Sequence, residues 1–337
     1  MRNTIVDTII KALYFLGPLK WYLGLKNYFS PRKYILMFHR VTDGSSHGMK
    51  AISISNENFI STIETISGHG DKIVAIEEID NFKAKRDLDF HLTFDDAYKA
   101  ILDRALPYCD QREIPYSLFP VTNFLENPKP YWWDIWDTAL ELGEYQILNF
   151  SFFEYFPNAE LTIDQNFSHL DYNTLKSLDG VTREEMSCHI LDKLKKKHVG
   201  IDIDQSFGWN ELEKVVGDNV HIGCHTSSHQ FLPYMDHDQT LSDINQSISK
   251  LETFTGVDLK SFAFPAGLYD QASIRAVNCF DFSYKFSTEC KSFTENDQNE
   301  DRLIPRFNIN DEFVCDKKGR FSPAYFYWNL IRRDQHG

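Results

Sequence analysis

From about residue 33 onward, short apolar runs alternate with stretches whose apolar residues recur at helical spacing. The apolar runs predict strands over 34–39, 72–76, 90–95, 116–121, 221–225, 261–264, 283–287 and 303–309. The intervening stretches predict helices over 57–66, 97–109, 241–254 and 271–278. Because the strands are almost wholly apolar and helices lie between them, we expect parallel strands buried on both faces. About eight such strands favour a closed or nearly closed α/β barrel over an open sheet.

The alternation stops between 123 and 208, a stretch that is too long for a simple connection. It contains an aromatic cluster at 131–136 and, later, a helix that we expect to begin with a capping box at Thr182. That helix ends in a lysine-rich turn at 193–197, which favours a solvated helix end over a polyanion site. We therefore predict a largely helical insertion or lid at about 124–208 within a domain that spans 33–337.

The first 32 residues form a separate N-terminal helical segment in this interpretation. Residues 4–16 are rich in apolar side chains, but Asp7 and Lys11 interrupt them and the run is too short to span a bilayer. No cleavage site of a secretory signal follows. The simpler interpretation is a helix packed on the protein body. The alternative is a peripheral membrane helix whose apolar side carries Ile5, Ile9, Leu13 and Leu16.

Composition narrows the class of protein and its location. The 49 acidic and 35 basic residues give a net charge of −14, which argues against a nucleic-acid partner. The six cysteines show no paired spacing, which predicts free thiols in a reducing compartment. We therefore expect a cytoplasmic protein that works at the inner face of the membrane if the N-terminal helix binds there. The oligomeric state is not predictable from these features.

Polar residues follow the apolar strands at the points where the strands end. They are His39 after the first strand, the pair Asp95-Asp96, His225 with His229 four residues later, the turn 265–267, and Arg306. In a β/α barrel the carboxyl ends of the strands form one face, and catalytic residues gather there. We therefore expect these five segments to converge on one site.

The two histidines and one of the aspartates suit a divalent cation. The spacing of His225 and His229 lets both imidazoles reach one ion, and two histidines with one carboxylate leave open positions for water and substrate. The alternatives are two unrelated histidines and an aspartate pair that caps a helix. A set of two histidines and one carboxylate also occurs in non-haem iron oxygenases, although that class does not account for the second aspartate.

Four short motifs resemble those of the polysaccharide deacetylases, carbohydrate esterase family 4, also called the NodB homology domain. They are Thr-Phe-Asp-Asp-Ala at 93–97, His-Thr-Ser-Ser-His at 225–229, Phe-Ala-Phe-Pro-Ala-Gly at 262–267 and Ile-Leu-Met-Phe-His-Arg-Val at 35–41. The last is similar to the first strand of the branch that acts on biofilm polysaccharides. The resemblance covers about 33–310 and implies a distorted (β/α)7-type barrel with a largely helical insertion.

The resemblance also implies roles for the polar residues. Asp96, His225 and His229 would hold the metal, most simply Zn²⁺, with Co²⁺, Ni²⁺ or Mn²⁺ as alternatives. Asp95 would be the general base. The expected reaction is hydrolysis of acetyl groups on N-acetylated sugars of a glycan or a lipid-linked precursor.

The remaining site residues are assigned less directly by the resemblance. His39 would be the general acid, since no late Leu-x-His motif is present. The backbone around Pro265, Ala266 and Gly267 would bind the oxyanion. Arg306 would orient Asp95 or contact substrate, and Trp133 would stack on a sugar ring or anchor the insertion.

Two rival functions use the same scaffold. One is an O-acetyl carbohydrate esterase, whose leaving group needs less help from an acid. The other is a catalytically inactive glycan-binding module. Ala97 stands where the family usually has glycine, which would tighten the approach to the metal.

Overall fold

The computed structural model describes residues 2–156, 163–164, 169–298 and 301–334. The strands are β1 (Arg32–Phe38), β2 (Arg40–Thr42), β3 (Ser53–Ser55), β4 (Lys72–Ile73), β5 (Asp89–Asp95), β6 (Tyr116–Phe119), β7 (Val220–Ile222), β8 (Ser261–Ala263), β9 (Tyr284–Phe286), β10 (Phe293–Thr294), β11 (Leu303–Ile304) and β12 (Phe307–Asn308). The helices are α1 (Arg2–Phe15), α2 (Pro18–Phe29), α3 (Asn56–Gly68), α4 (Lys99–Leu102), α5 (Ala105–Gln111), α6 (Thr122–Glu126), α7 (Trp132–Glu141), α8 (Tyr145–Tyr155), α9 (His169–Ser177), α10 (Gly180–Lys197), α11 (Trp209–Val215), α12 (His237–Thr255), α13 (Gln271–Val277), α14 (Asp311–Val314) and α15 (Pro323–Arg333).

The predicted parallel α/β barrel is confirmed, in a distorted form. Strands β1, β5, β6 and β7 pair side by side in parallel, and β8, β9 and β11 form a second parallel sheet. A single parallel bridge between Cys224 and Phe262 joins the two sheets on one side. On the other side β12 pairs with β1. The pairings therefore trace a ring of seven strand positions that is irregular at these two junctions.

The last strand is where the sequence-based prediction was wrong. The predicted strand over 303–309 is broken at Pro305 and Arg306, so that β11 pairs with β9 while β12 pairs with β1. Proline cannot donate a backbone hydrogen bond to a ladder, which explains why the pairing stops there. The break lets the chain pass from one sheet to the other and directs the side chain of Arg306 into the barrel, where it is fully buried.

Two helix predictions also need correction. The helix expected over 97–109 does not start at Ala97, which has a positive φ of 56°, and the segment instead forms the short helices α4 and α5. The capping box expected at Thr182 is absent, because Asp179 caps α10 and accepts a hydrogen bond from the Thr182 backbone N–H at 2.9 Å. The helices expected over 57–66, 241–254 and 271–278 are present as α3, α12 and α13.

The stretch predicted as an insertion contains α6 to α10 in its described part. Residues 157–162 and 165–168 of the predicted range 124–208 lie outside the described residues. The buried aromatic side chains of α7 form a second apolar cluster together with residues of α8 and α10. This cluster is separate from the main barrel core. The insertion therefore has its own small core and rests on the face of the barrel where the strands end. The domain boundaries at 32 and 33 stay a prediction.

The N-terminal segment forms a helical hairpin, in which α1 corresponds to the helix expected over 4–16 and α2 is a second helix that the apolar pattern did not specify. Gly17 makes the turn between the two helices with a φ of 94°. The inner side of the hairpin carries Ile10, Leu19 and Leu23, all of which are buried. Among the described residues, no helix combines the length and the apolar character needed to cross a membrane.

Candidate metal centre and active site

The site begins at the carboxyl end of β5. Asp95 is the last residue of the strand, and Asp96 and Ala97 follow with φ values of 68° and 56°. This left-handed region costs roughly 1–2 kcal/mol for each residue other than glycine. The Asp96 backbone N–H donates to the carbonyl of Phe119 at 3.0 Å, which helps to hold the turn. Strain of this kind is typical of functional sites, where surrounding contacts fix an unfavourable backbone.

The two histidines follow β7 in a second strained loop. Thr226 and His229 have φ values of 65° and 55°, and the Thr226 hydroxyl accepts a hydrogen bond from the His229 backbone N–H at 3.0 Å. Nδ1 of His225 lies 2.8 Å from the carbonyl oxygen of Ala263. This contact assigns the proton to Nδ1 and leaves Nε2 as a free lone-pair donor directed at the site.

The three predicted metal ligands converge. Oδ1 of Asp96 lies 3.4 Å from Nε2 of His225 and 3.2 Å from Nε2 of His229. All three side chains are buried, and their potential ligand atoms lie within 4.8 Å of one another. Oδ1 of Asp96 is buried and makes no hydrogen bond of normal geometry. Two imidazole nitrogens and an otherwise orphaned carboxylate oxygen fit a divalent cation of the zinc type.

The charges at this cluster also favour a cation. Burial alone would raise the pKa of Asp96, but the neighbouring imidazoles of His229 and His225 lower it well below its ordinary range. Burial lowers the pKa of His229. The pKa of His225 is raised, because contact with Asp96 and the charge of Asp95 outweigh the effect of burial. At neutral pH the carboxylate is therefore ionised and His229 is neutral, as a metal ligand requires, while a metal bound at Nε2 of His225 would compete with a proton at that atom.

Asp95 faces an arginine from the broken last strand. Nη1 and Nη2 of Arg306 each donate to a different oxygen of Asp95 at 2.8 Å. Nε of Arg306 donates to the carbonyl of Ser287 at 3.0 Å, and Nη1 also reaches the hydroxyl of Thr93 at 3.2 Å. Burial would raise the pKa of Asp95, but the guanidinium of Arg306 keeps it below its ordinary value. Asp95 is therefore an oriented, ionised carboxylate, and the fully buried Arg306 supports it from behind.

His39 lies between β1 and β2, at the carboxyl end of the first barrel strand. Its Nδ1 is buried and lacks a hydrogen-bond partner among the described residues. Burial lowers the pKa of His39, although the carboxylates of Asp96 and Asp95 act in the opposite direction. The imidazole is therefore mostly neutral at pH 7, and it must gain a proton before it can donate one.

The segment predicted to bind the oxyanion is a tight turn. The backbone N–H of Gly267 donates to the carbonyl of Phe264 at 2.8 Å, and the N–H of Leu268 donates to the carbonyl of Pro265 at 3.1 Å. The Ala266 N–H takes no part in these bonds. Ala266 is exposed and has a φ of 51°. Gly267 also has a positive φ, and a Cβ there would approach the Thr288 hydroxyl to 1.8 Å. The turn therefore leaves the Ala266 N–H unused by its own backbone bonds.

Trp133 is almost fully buried, and it packs against the site. Its indole N–H donates to the Tyr98 hydroxyl at 2.7 Å, and its ring lies 4.8 Å from that of His229. Tyr131 stacks on Trp133 with ring centroids 4.5 Å apart. In this position Trp133 anchors the insertion against a predicted metal ligand, and only 7% of its surface is exposed.

Three residues that the sequence analysis did not assign to the site connect the insertion to it. The Tyr131 hydroxyl donates to the backbone carbonyl of Asp96 at 2.6 Å, and the Tyr98 hydroxyl donates to Asp134 at 2.5 Å. Asp134 also accepts the Met49 backbone N–H at 2.7 Å. Burial raises the pKa of Asp134 to about 7 in spite of the nearby Arg40 guanidinium. The aromatic cluster at 131–136 was the available signal, but its contact with Asp96 spans 35 positions.

The variant Tyr131→Phe is expected to weaken metal binding. Removal of the hydroxyl leaves the buried Asp96 carbonyl without this donor and loosens a strained backbone. Loss of a supporting contact of this type typically costs about 10–100-fold in metal affinity. Zinc affinity measured by chelator competition tests this without reference to activity. The matched control is Tyr172→Phe, which removes a hydroxyl of the same insertion that bonds Asp137 at 3.4 Å. Equal affinities for Tyr131→Phe and the control would contradict the expectation.

The fold and the site define a class before any comparison is made. A distorted parallel barrel with a buried Asp-His-His cluster and a second, arginine-held aspartate at its carboxyl face fits a hydrolase that uses a divalent cation. The chain belongs to the polysaccharide deacetylase family, whose model matches residues 83–284, more than half of the chain. Asp95, Asp96, His225 and His229 lie within the matched region.

Solved structures of deacetylases share the fold. A polysaccharide deacetylase from Bacillus cereus has a TM-score of 0.57 at 14% identity, over 90% of this chain and 70% of its own. IcaB from Ammonifex degensii has a TM-score of 0.55 at 14% identity, over 90% of this chain and 97% of its own. A de-N-acetylase from Aggregatibacter actinomycetemcomitans has a TM-score of 0.50 at 14% identity, over 83% of this chain and 95% of its own. Among curated proteins, none matches the chain significantly. At such identities the likeness concerns the fold alone.

Proposed function

We propose that this protein hydrolyses the acetamide of N-acetylated sugars in a glycan or glycolipid precursor, with a divalent metal, most simply Zn²⁺, held by Asp96, His225 and His229. The observation that carries the proposal is the buried Asp-His-His cluster next to an ionised Asp95. The name of the similar structure from A. actinomycetemcomitans, a de-N-acetylase, supports an amide as the scissile bond.

Each residue has a separate task in this proposal. A bound divalent ion would polarise the acetyl carbonyl and lower the pKa of a water molecule. Asp95 accepts the proton of that water as the water attacks, since its carboxylate is ionised and Arg306 fixes its orientation. The Ala266 N–H donates to the oxyanion that forms from the carbonyl oxygen.

The leaving nitrogen of an amide needs a proton, and we assign that role to His39, whose pKa responds to the charges of Asp96 and Asp95. Because burial lowers the pKa of His39, the imidazole has to be protonated in the substrate complex before this step. An ester leaving group depends less on such an acid. The proposed acid role therefore favours an amide substrate over an O-acetyl ester.

Metal content and acetate release test the proposal together. Wild-type protein is expected to bind about one equivalent of zinc and to release acetate from N-acetylated oligosaccharides. The double variant Asp96→Ala/His225→Ala is expected to lose both properties, because two of three ligands are removed. The matched control is His189→Ala/Asp192→Ala, which removes one residue of each type from the exposed surface of α10 and is expected to retain both.

Two results would contradict the proposal in different ways. Release of acetate from acetyl esters of the same sugars but not from the amides would make the protein an O-acetyl esterase. Failure of the wild type to bind metal after reconstitution would remove the hydrolytic mechanism altogether.

A further inference from the structure

The outer surface of the N-terminal hairpin is covered with exposed apolar and aromatic side chains. The most exposed are Phe15 at 80% and Leu16 at 82%, which lie beside the turn, together with Phe29 at 79%. The complete set of exposed large apolar side chains in this hairpin is Ile5, Val6, Ile9, Phe15, Leu16, Trp21, Tyr22, Tyr28 and Phe29. Surface apolar residues are common singly, but nine of them on two helices that pack together indicate an interaction site.

The spacing of these residues makes a continuous stripe on each helix. On α1, Ile5, Ile9 and Leu16 follow one another at one-turn and two-turn intervals along the exposed side. On α2, Trp21 and Tyr22 are followed two turns later by Tyr28 and Phe29. Since the opposite sides of both helices are packed on the protein, each helix is apolar on two faces. A helix of that kind in a water-soluble setting has an outer partner.

The three lysines of the hairpin are paired with aspartates of the protein body. Lys11, Lys20 and Lys26 form ion pairs with Asp316 at 2.7 Å, Asp71 at 2.9 Å and Asp334 at 2.6 Å. Between residues 5 and 30, no residue classed as exposed carries a charge. Residues 1–30 contain four basic residues and one acidic residue, whereas the whole chain has a net charge of −14. The described surface of the hairpin between residues 5 and 30 therefore presents no exposed acidic side chain, so an anionic bilayer would not repel it.

We propose that the α1–α2 hairpin docks the protein on the surface of a lipid bilayer. With 14 and 12 residues, α1 and α2 are shorter than the ~20 residues of a spanning helix, so they would lie in the interfacial plane. Tryptophan and tyrosine such as Trp21 and Tyr28 favour the headgroup region, because their rings are apolar and carry a polar group.

A fluid bilayer suits this surface better than a second copy of the chain. Phe15 and Leu16 protrude from the turn, and a protein partner would need a complementary apolar recess for them. A bilayer accepts a protruding tip without a preformed recess.

The docked orientation places the active site away from the lipid. The Asn27 side chain of α2 donates to the carbonyls of Lys85 and Asp87 at 3.0 Å and 2.8 Å, just before β5 begins. The hairpin thus lies at the amino end of β5, whereas Asp95 is at the carboxyl end, seven residues or roughly 20 Å away. This step rests on the proposed function. If it holds, the acetylated sugar would lie at a distance from the bilayer, as it does in an extended glycan chain.

Sedimentation of the full chain with vesicles tests the docking. We expect the wild type to bind vesicles of phosphatidylcholine and phosphatidylglycerol, and to stay bound at about 0.5 M salt because apolar burial dominates. The triple variant Phe15→Ser/Leu16→Ser/Trp21→Ser is expected to bind at least about tenfold more weakly. The matched control is Val181→Ser/Val199→Ser/Val257→Ser, which removes exposed apolar side chains elsewhere and is expected to bind as the wild type does.

Three outcomes would overturn the docking proposal. The wild type could remain in the supernatant, or the control variant could lose binding as much as the hairpin variant does. Light scattering could instead show a dimer that the hairpin substitutions dissociate, with no vesicle binding, so that a second copy covers the patch. Binding is measured without substrate, and acetate release from soluble oligosaccharides should be unchanged in the hairpin variant. A failure of docking is therefore distinguishable from a failure of the proposed activity.

Discussion

Asp95→Asn is expected to reduce acetate release by about 10²–10⁴-fold while the bound metal is retained. Asparagine cannot accept the proton of the attacking water, but its side-chain oxygen still accepts one hydrogen bond from Arg306. The three predicted metal ligands are unchanged, so elemental analysis should show the wild-type zinc content. The measurement is kcat on N-acetylated oligosaccharides for protein whose metal content has been determined.

The same strand provides a matched control. Asp89 lies at the amino end of β5, is buried, and is ion-paired with Lys33 and Lys85 at 2.6 Å. Asp89→Asn therefore perturbs a buried, cation-bound aspartate on the same strand without touching the site. It is expected to lower stability and to leave kcat close to that of the wild type. If Asp95→Asn retained kcat within tenfold of the control with metal bound, Asp95 would not be the general base.

The part of the site that the sequence reveals is the part encoded in short local patterns. Asp95 and Asp96 are neighbours at the end of one apolar strand. His225 lies at the end of another predicted strand, and His229 follows four positions later. Strand ends in a parallel barrel meet on one face, so local patterns suffice to predict the cluster that the structure shows. The same local motifs also sufficed to predict the family and the fold, and both predictions are confirmed. The catalytic roles of these residues stay predictions.

The rest of the site depends on contacts that have no local signature. Tyr131 meets the Asp96 carbonyl across 35 positions, and nothing in the spacing of aromatic residues predicts which hydroxyl makes that contact. Arg306 reaches Asp95 because the last strand breaks between two sheets, whereas its apolar pattern predicts one continuous strand. The predicted helix does not start at Ala97 because Asp96 and Ala97 have positive φ values. Contacts with distant parts of the chain hold this strained backbone, although the local sequence favours a helix.

Arg306→Met is expected to destabilise the protein by about 3–5 kcal/mol at pH 7. The substitution removes the two hydrogen bonds of 2.8 Å to Asp95, together with those to Ser287 and Thr93, and leaves the Asp95 carboxylate buried without its counter-charge. Methionine keeps most of the side-chain volume, so the loss is chiefly electrostatic. The measurement is the free energy of unfolding by chemical denaturation. The control is an ion pair whose arginine is exposed: Arg320→Met removes one partner of Asp316, which keeps Lys11 at 2.7 Å, and is expected to cost no more than about 1 kcal/mol.

The pH dependence distinguishes this loss from a simple packing defect. In the wild type, folding lowers the pKa of Asp95 below the unfolded-state value of 3.8. The ionised Asp95 therefore stabilises the fold fully above pH 3.8, and this stabilisation is lost only as the pH falls through the pKa of Asp95 in the folded protein. Without Arg306, burial raises the folded-state pKa, and the variant then loses stability as the pH rises above about 4. The difference between the two proteins should therefore widen from pH 4 towards neutrality, and the further substitution Asp95→Asn in the Arg306→Met background should abolish that widening. A destabilisation that is the same at every pH, or that Asp95→Asn leaves unchanged, would show that Arg306 holds the barrel together by packing and not by neutralising Asp95.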